Sequence, residues 1–167
     1  MRRFFSQLAL GVLLLAGVVS CIDNDIPNEP PRTKADEMAD LKVYLDTLEG
    51  RGLDIDTTDL GVYYVVDKEG NGTFPQSGDT CIVNYSGFFM NGMMFDASHL
   101  HNSDSTFQFV LNTTPMIKGW EDGMKVVAEE SRTYLIIPSE HAYGSTGYGG
   151  IGPYETLIFD IKMKDIK

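Results

Sequence analysis

From Gly61 onward the apolar residues of this 167-residue chain change their period, and that change limits the folds open to it more than any other feature. Upstream, "KADEMADLKVYLDTLEGRG" carries Met38, Leu41, Leu45 and Leu48 at helical spacing and ends in glycines, so the spacing predicts an amphipathic helix of about four turns. Downstream, "VYYVVDKE", "TCIVNYSGFF", "TFQFVL", "TYLIIP" and "TLIFDIKMK" are rich in β-branched and aromatic residues. Phe107, Phe109 and Leu111 share one face of the third segment, as do Leu157, Phe159 and Ile161 of the last, which is strand periodicity. Turn formers separate the segments. "DKEGNG" from Asp67 imitates the start of an EF-hand loop but puts Gly78 where a bidentate Glu belongs, so it reads as a hairpin turn. One short helical candidate, "MIKGWEDGMKVV", interrupts the strands. Strands joined by turns rather than by long helices predict an antiparallel sheet with one or two helices, an α+β fold.

The chain opens "MRRFFSQLALGVLLLAGVVSC": two arginines, a 12-residue apolar run from Leu8 to Val19, and small residues before Cys21. This is secretory signal grammar, and the run is too short to span a bilayer. "VVSC" resembles the lipobox of bacterial lipoproteins, which implies lipid on Cys21 and a chain held to a membrane of the cell envelope. Ile22 after the cysteine favours the outer membrane, and the acidic "IDND" is a candidate surface-export signal, so the face stays open. The expected organisation is signal peptide 1–20, acidic Pro-rich spacer 21–33, helix and linker 34–60, and one domain over 61–167. The helix is expected to pack on its own domain, with a partner or second copy as the alternative; the oligomeric state is open.

A formal net charge of −11, deepened by loss of Arg2 and Arg3 with the signal, repels phosphate backbones and excludes nucleic acid as a partner. With Cys21 lipidated, Cys81 is the one remaining thiol and no internal disulfide forms.

"GYGGIG", Gly147 to Gly152, spells a dinucleotide fingerprint, but such a loop must open a helix within a βαβ unit, and here Pro153 and a strand follow. His99 and His101, flanked by Asp96 and Asp104, have no further ligand spacing beside them, so no metal is expected. What stands out is the aromatic load: Tyr85, Phe95, Phe107, Phe109, Trp120, Tyr143, Tyr148 and Phe159 lie on or beside strand ends and turns. A sheet curved over one short helix has a concave face. Rings lining it, with Trp120 as floor and tyrosine hydroxyls at the rim, would make an apolar pocket with few polar groups.

Six motifs, "TFPQSGDTCIVNYSG", "NGMMFDAS", "FQFVLN", "MIKGWEDGM", "HAYGSTGYGG" and "TLIFDIKM", run in order over about 107 residues. In this order they resemble the FKBP-type peptidyl-prolyl cis-trans isomerases. The resemblance implies an antiparallel sheet half-wrapped around a short helix, with a proline-binding pocket between them. It places Tyr85, Phe95, Asp96, Ile117, Trp120, Tyr143 and Phe159 in the catalytic set, and Phe107, Met116, Tyr148 and Ile151 as further substrate contacts. Ile117 would offer its backbone N–H, and Tyr143 its hydroxyl, to substrate carbonyls. The glycine-rich stretch after Tyr143 becomes a flap over the pocket. Proline-containing polypeptides and the family's macrolide inhibitors are the implied ligands, and no cofactor is required. A non-catalytic proline-binding module of an envelope lipoprotein is the alternative.

The chain departs from the family pattern in two places. Between Asp96 and Phe107, where many members place an arginine against the carboxylate, it has no Lys or Arg and two extra residues, so His99 or His101 is the candidate partner. The flap is one residue shorter near "GIGPYE".

Overall fold

The computed structural model describes residues 31–167. The expected signal peptide, Cys21 and most of the spacer lie outside the described residues. Thr33 opens the first helix, α1 (Lys34–Gly50), with a capping box: the Asp36 N–H donates to the Thr33 hydroxyl while the Asp36 carboxylate accepts the Thr33 N–H. Gly52, at φ +81°, turns the chain out of the helix. There follow β1 (Asp56–Thr57), β2 (Tyr63–Lys68), β3 (Thr80–Phe89), β4 (Met94–Ala97), β5 (Phe107–Val110), α2 (Lys118–Met124), β6 (Arg132–Ile137) and β7 (Leu157–Ile166).

All pairings among these strands are antiparallel, in the order β1-β2-β6-β7-β3-β4, with β5 also on β3. The outer edge of β3 is therefore shared: Thr80–Val83 pair with β5, and Ser86–Phe88 with β4. Between the two partners the ladder would break at Tyr85. Ser98 mends it, accepting the Tyr85 N–H at 3.1 Å and donating its own hydroxyl to the Ser105 carbonyl at 2.6 Å.

Both sides of the central strands are covered. On one, Trp120 and Met124 of α2, with Val127 just beyond, pack on Leu135, Ile137, Phe159 and Ile161. On the other, Leu41 of α1 packs on Ile136 and Ile158, flanked by Tyr44, Leu45 and Leu48. Strands buried on two faces read as continuous apolar runs, which accounts for "LII" in β6 and "LIF" in β7. The short helix against an antiparallel sheet, with an extra N-terminal helix, is the expected α+β architecture. Residues 31–167 form one compact unit, so α1 packs on the sheet of its own chain. Cys81 is fully buried on β3, and burial, then Asp79, pushes its thiol up to about 11, which leaves it unreactive.

Three details differ from the expectations. Met38 lies off the buried stripe of α1, 44% exposed, and Glu37 takes the inward position instead at 1%. "DKEGNG" is no hairpin turn, because β2 pairs with β6 while β3 pairs with β7. Residues 69–79 instead cross an end of the sheet, held by Asn71 N–H to Glu129 O, Glu129 N–H to Thr73 O, and Gly78 N–H to Leu111 O. β1 and β4, of two and four residues, are too short to have shown a period. Among the described residues no helix is long and apolar enough to cross a membrane.

Candidate active site

The curvature of the sheet over α2 leaves a hollow of about 420 Å³, walled by Tyr85 of β3, Phe95 and Asp96 of β4, Phe107 of β5 and Phe159 of β7. Trp120, in the first turn of α2 and only 2% exposed, lies at the centre of the ring contacts. Its ring meets Phe159 at 5.1 Å, Tyr85 at 5.5 Å and Phe109 at 5.7 Å between centroids, each edge to face. Quadrupoles favour that crossing, and a cage of crossed rings cannot close up as aliphatic side chains would. The Phe95 ring lies against Gly87 of β3, where an added Cβ would come within 2.6 Å of it. A glycine at that strand position is thus a condition of the wall.

The polar groups are few. Asp96 Oδ2 accepts the Tyr85 hydroxyl at 2.6 Å; Oδ1 accepts the Ala97 N–H at 2.8 Å and contacts His101 Nε2 at 2.6 Å. Partial burial raises the Asp96 pKa, and the bonds from Tyr85, His101 and Ala97 outweigh it, so the carboxyl titrates below its ordinary 3.8 and stays ionised near neutrality. Burial first, then the Asp96 bond, pushes the Tyr85 hydroxyl well above its ordinary 10. Of the two candidate histidines, His101 is the one that meets Asp96. His99 points elsewhere, lining a polar recess with Lys162 and Lys164.

Ile117 is the N-cap of α2 with extended backbone, φ −63° and ψ 145°, so its N–H belongs to no helical hydrogen bond. Met116 and Pro115 continue the wall, Pro115 having escaped the sequence reading because a proline beside a helix start reads as punctuation. Tyr143 enters from the flap that follows β6. Its half-buried ring stacks on Tyr148 at 5.2 Å and 15°, and burial, then the nearby Tyr148 and Asp96, raises its hydroxyl pKa. It therefore remains a donor through neutral and mildly alkaline pH.

The flap tip is the "GYGGIG" stretch. Tyr148 and Ile151 exchange both backbone hydrogen bonds at 2.9 Å, a two-residue turn, and Gly147 at φ +69° has no room for a side chain: a Cβ would sit 2.3 Å from the Ile151 carbonyl. Tyr148 lines the cavity, whereas Ile151 is not among its lining residues and packs against the core. A larger groove of about 570 Å³ lies between α1 and the turn after β3, but Arg32, Asp40, Arg51 and Glu155 line it and the crossed rings lie elsewhere.

Such a hollow, apolar with one ionised acid and three tyrosines in its lining, has the chemistry to take a small hydrophobic ring flanked by carbonyls. The sequence profile of the FKBP-type peptidyl-prolyl cis-trans isomerases matches residues 71–164. The isomerase FkpA of Escherichia coli is 35% identical over 113 residues, 68% of this chain and 40% of its own length. The peptidyl-prolyl cis-trans isomerase FKBP1A of Xenopus laevis is 38% identical over 106 residues, which is 62% of this chain and 96% of that protein. The crystal structure of Escherichia coli FkpA superposes with a TM-score of 0.65 at 32% identity, covering 80% of this chain and 62% of the other. The chain belongs to the FKBP-type peptidyl-prolyl cis-trans isomerase family. It spans less than half the length of the FkpA protein it matches.

Proposed function

We propose that the protein is a peptidyl-prolyl cis-trans isomerase that turns Xaa-Pro bonds in exported polypeptides. The supporting observation is the ring-lined hollow of about 420 Å³, with Trp120 buried at its base and Tyr85, Asp96 and Tyr143 supplying the polar groups. Rotation about a prolyl bond crosses roughly 18–20 kcal/mol because amide resonance is lost on the way. No bond to carbon breaks, so a pocket that prefers the twisted amide to the planar one is sufficient. The rings strip water from the amide and disfavour its charge-separated planar form. The prolyl ring rests on Trp120, while the Ile117 N–H and Tyr143 hydroxyl hold the carbonyls on either side. Asp96 orients the Tyr85 hydroxyl rather than moving a proton. The family's macrolides would compete for the same hollow.

Residues 61–167 are the proposed isomerase domain, with 34–60 bracing it. The first 21 residues support the finer reading of an export signal ending at a lipidated Cys21, with 21–33 as spacer and the outer membrane as the proposed location. A proline-limited peptide assay on the purified chain tests the activity. Acceleration inhibited by a family macrolide is expected, and a rate equal to the uncatalysed one would leave a proline-binding module. Membrane fractionation of the parent and Cys21→Ala tests the anchor: release of the variant into the soluble fraction is expected, and equal partition overturns it.

A further inference from the structure

The flap that carries Tyr143 starts at Ser139 and returns to the sheet at Thr156, and both ends rest on one carboxylate from the N-terminal helix. Glu37 is 1% exposed. Its Oε1 accepts the Ser139 N–H at 2.7 Å and the Thr156 hydroxyl at 2.8 Å, and its Oε2 accepts the Ser139 hydroxyl at 2.6 Å. All three contacts are donors on the partner side, set against the two oxygens of one carboxyl group. Two further contacts lie nearby: Arg32, just ahead of α1, donates its Nε–H to the Tyr154 carbonyl at 3.0 Å, and Lys34 pairs with Glu140.

Docking the helix does not call for a buried acid. Leu41, packed on Ile136 and Ile158, already does that, and an apolar side chain at position 37 would avoid the desolvation cost of a charge. What the carboxylate adds is position. From Ser139 the constraint passes along the flap: the Gly144 N–H bonds the Ser139 carbonyl at 2.8 Å, the Gly147 N–H the Tyr143 carbonyl at 3.2 Å, and the Tyr154 N–H the Gly144 carbonyl at 2.9 Å. Three positive-φ glycines, Gly144, Gly147 and Gly149, make the segment between those anchors pliant, so its geometry is set from its ends.

We propose that Glu37 is a positioning residue for isomerisation, clamping both ends of the flap so that the Tyr143 hydroxyl meets the substrate carbonyl. This rests on the isomerase reading, and it makes α1 part of the working enzyme although none of its side chains lines the hollow.

The test is a double-mutant cycle on the full chain, Glu37→Gln with Tyr143→Phe, read by the proline-limited assay. Gln keeps the size but has a single acceptor oxygen, so the Ser139 hydroxyl must turn from donor to acceptor and the stronger bonds a carboxylate makes are lost. Glu37→Gln is expected to lower kcat/KM about tenfold, and by less than twofold when Tyr143 is already Phe, because the clamp acts through that hydroxyl. A loss below twofold in the parent background, or an equal loss in both backgrounds, overturns the proposal: the latter is what a helix anchor alone would give. If Glu37→Gln does not fold, Thr156→Val, which removes one clamp hydroxyl, carries the same cycle with about a threefold expected loss and the same criterion. Hydrogen exchange separates this from the activity itself. In the variant the Tyr148, Ile151 and Tyr154 amides should exchange about tenfold faster while those of β3 do not change, whether or not the parent isomerises; unchanged flap exchange overturns the clamp.

Discussion

The central strands meet α1 on one face of the sheet and α2 on the other, and the two faces are filled by different means. Against α1 the centre of the contact is aliphatic and tight, with Leu41 and Ile136 1% exposed and Ile158 7%, and a smaller recess of about 280 Å³ lies beside it, lined by Tyr44, Leu48, Tyr134 and Ile136. Against α2 the rings cross edge to face and leave about 420 Å³ open among them. The α1 face is filled at its centre by the chain itself, whereas the hollow opposite leaves room for the proposed substrate. A substitution on the α1 face should therefore cost stability with little activity and one at the rim of the hollow the reverse, while Trp120 and the flap clamp serve both.

Trp120→Ala probes this most severely. Removing a fully packed ring from the base of the hollow should cost about 3–5 kcal/mol of stability and take activity down by about two orders of magnitude, read by denaturant unfolding and the isomerase assay. Activity within threefold of the parent would mean that the rings are core and nothing more. Leu41→Ala, on the other face, should cost about 2–4 kcal/mol, with what folds retaining most of its activity. If instead it lost activity as steeply as Trp120→Ala while folded, the separation of faces would fail.

Tyr143→Phe should reverse that balance, lowering kcat/KM about tenfold, or about 1.4 kcal/mol in the barrier, with unfolding midpoints nearly unmoved. Acidification acts through Asp96. Its carboxyl titrates below 3.8 in the fold, so the unfolded chain binds the proton first, and the stability the carboxylate supplies is present above about pH 4 and lost as pH falls through the folded value. Activity and midpoint should decline together in that acid range in the parent, and Asp96→Asn should flatten the decline. His101→Gln should do least, under 1 kcal/mol, because the His101 side chain is 60% exposed and water screens the pair.

Most of the concave face could be read from the chain before any coordinates: strand period places Phe107 and Phe159, and the motifs that resemble the family place the rest. Phe95 and Asp96 in "MFDAS" and Trp120 in "IKGWEDG" carry their neighbourhood with them. Less was legible where a loop decides. His99 and His101 are two residues apart around a 3₁₀ turn, Ser98–Leu100, so they face different ways, and only the path of that turn selects His101 for Asp96. The missed strand pairing after β2 has the same origin, since turn formers show where a chain bends and not which strand it meets next.

By itself the sequence determined the strand period, the place of the short helix and the ring chemistry of the hollow, since all three follow from neighbouring residues. Tertiary structure alone decided that Glu37 faces inward, Met38 outward and Ile151 onto the core. The Glu37 partners stand 102 and 119 residues away, and at that separation a carboxylate on a helix is an ordinary solvated charge until the sheet brings its donors to it.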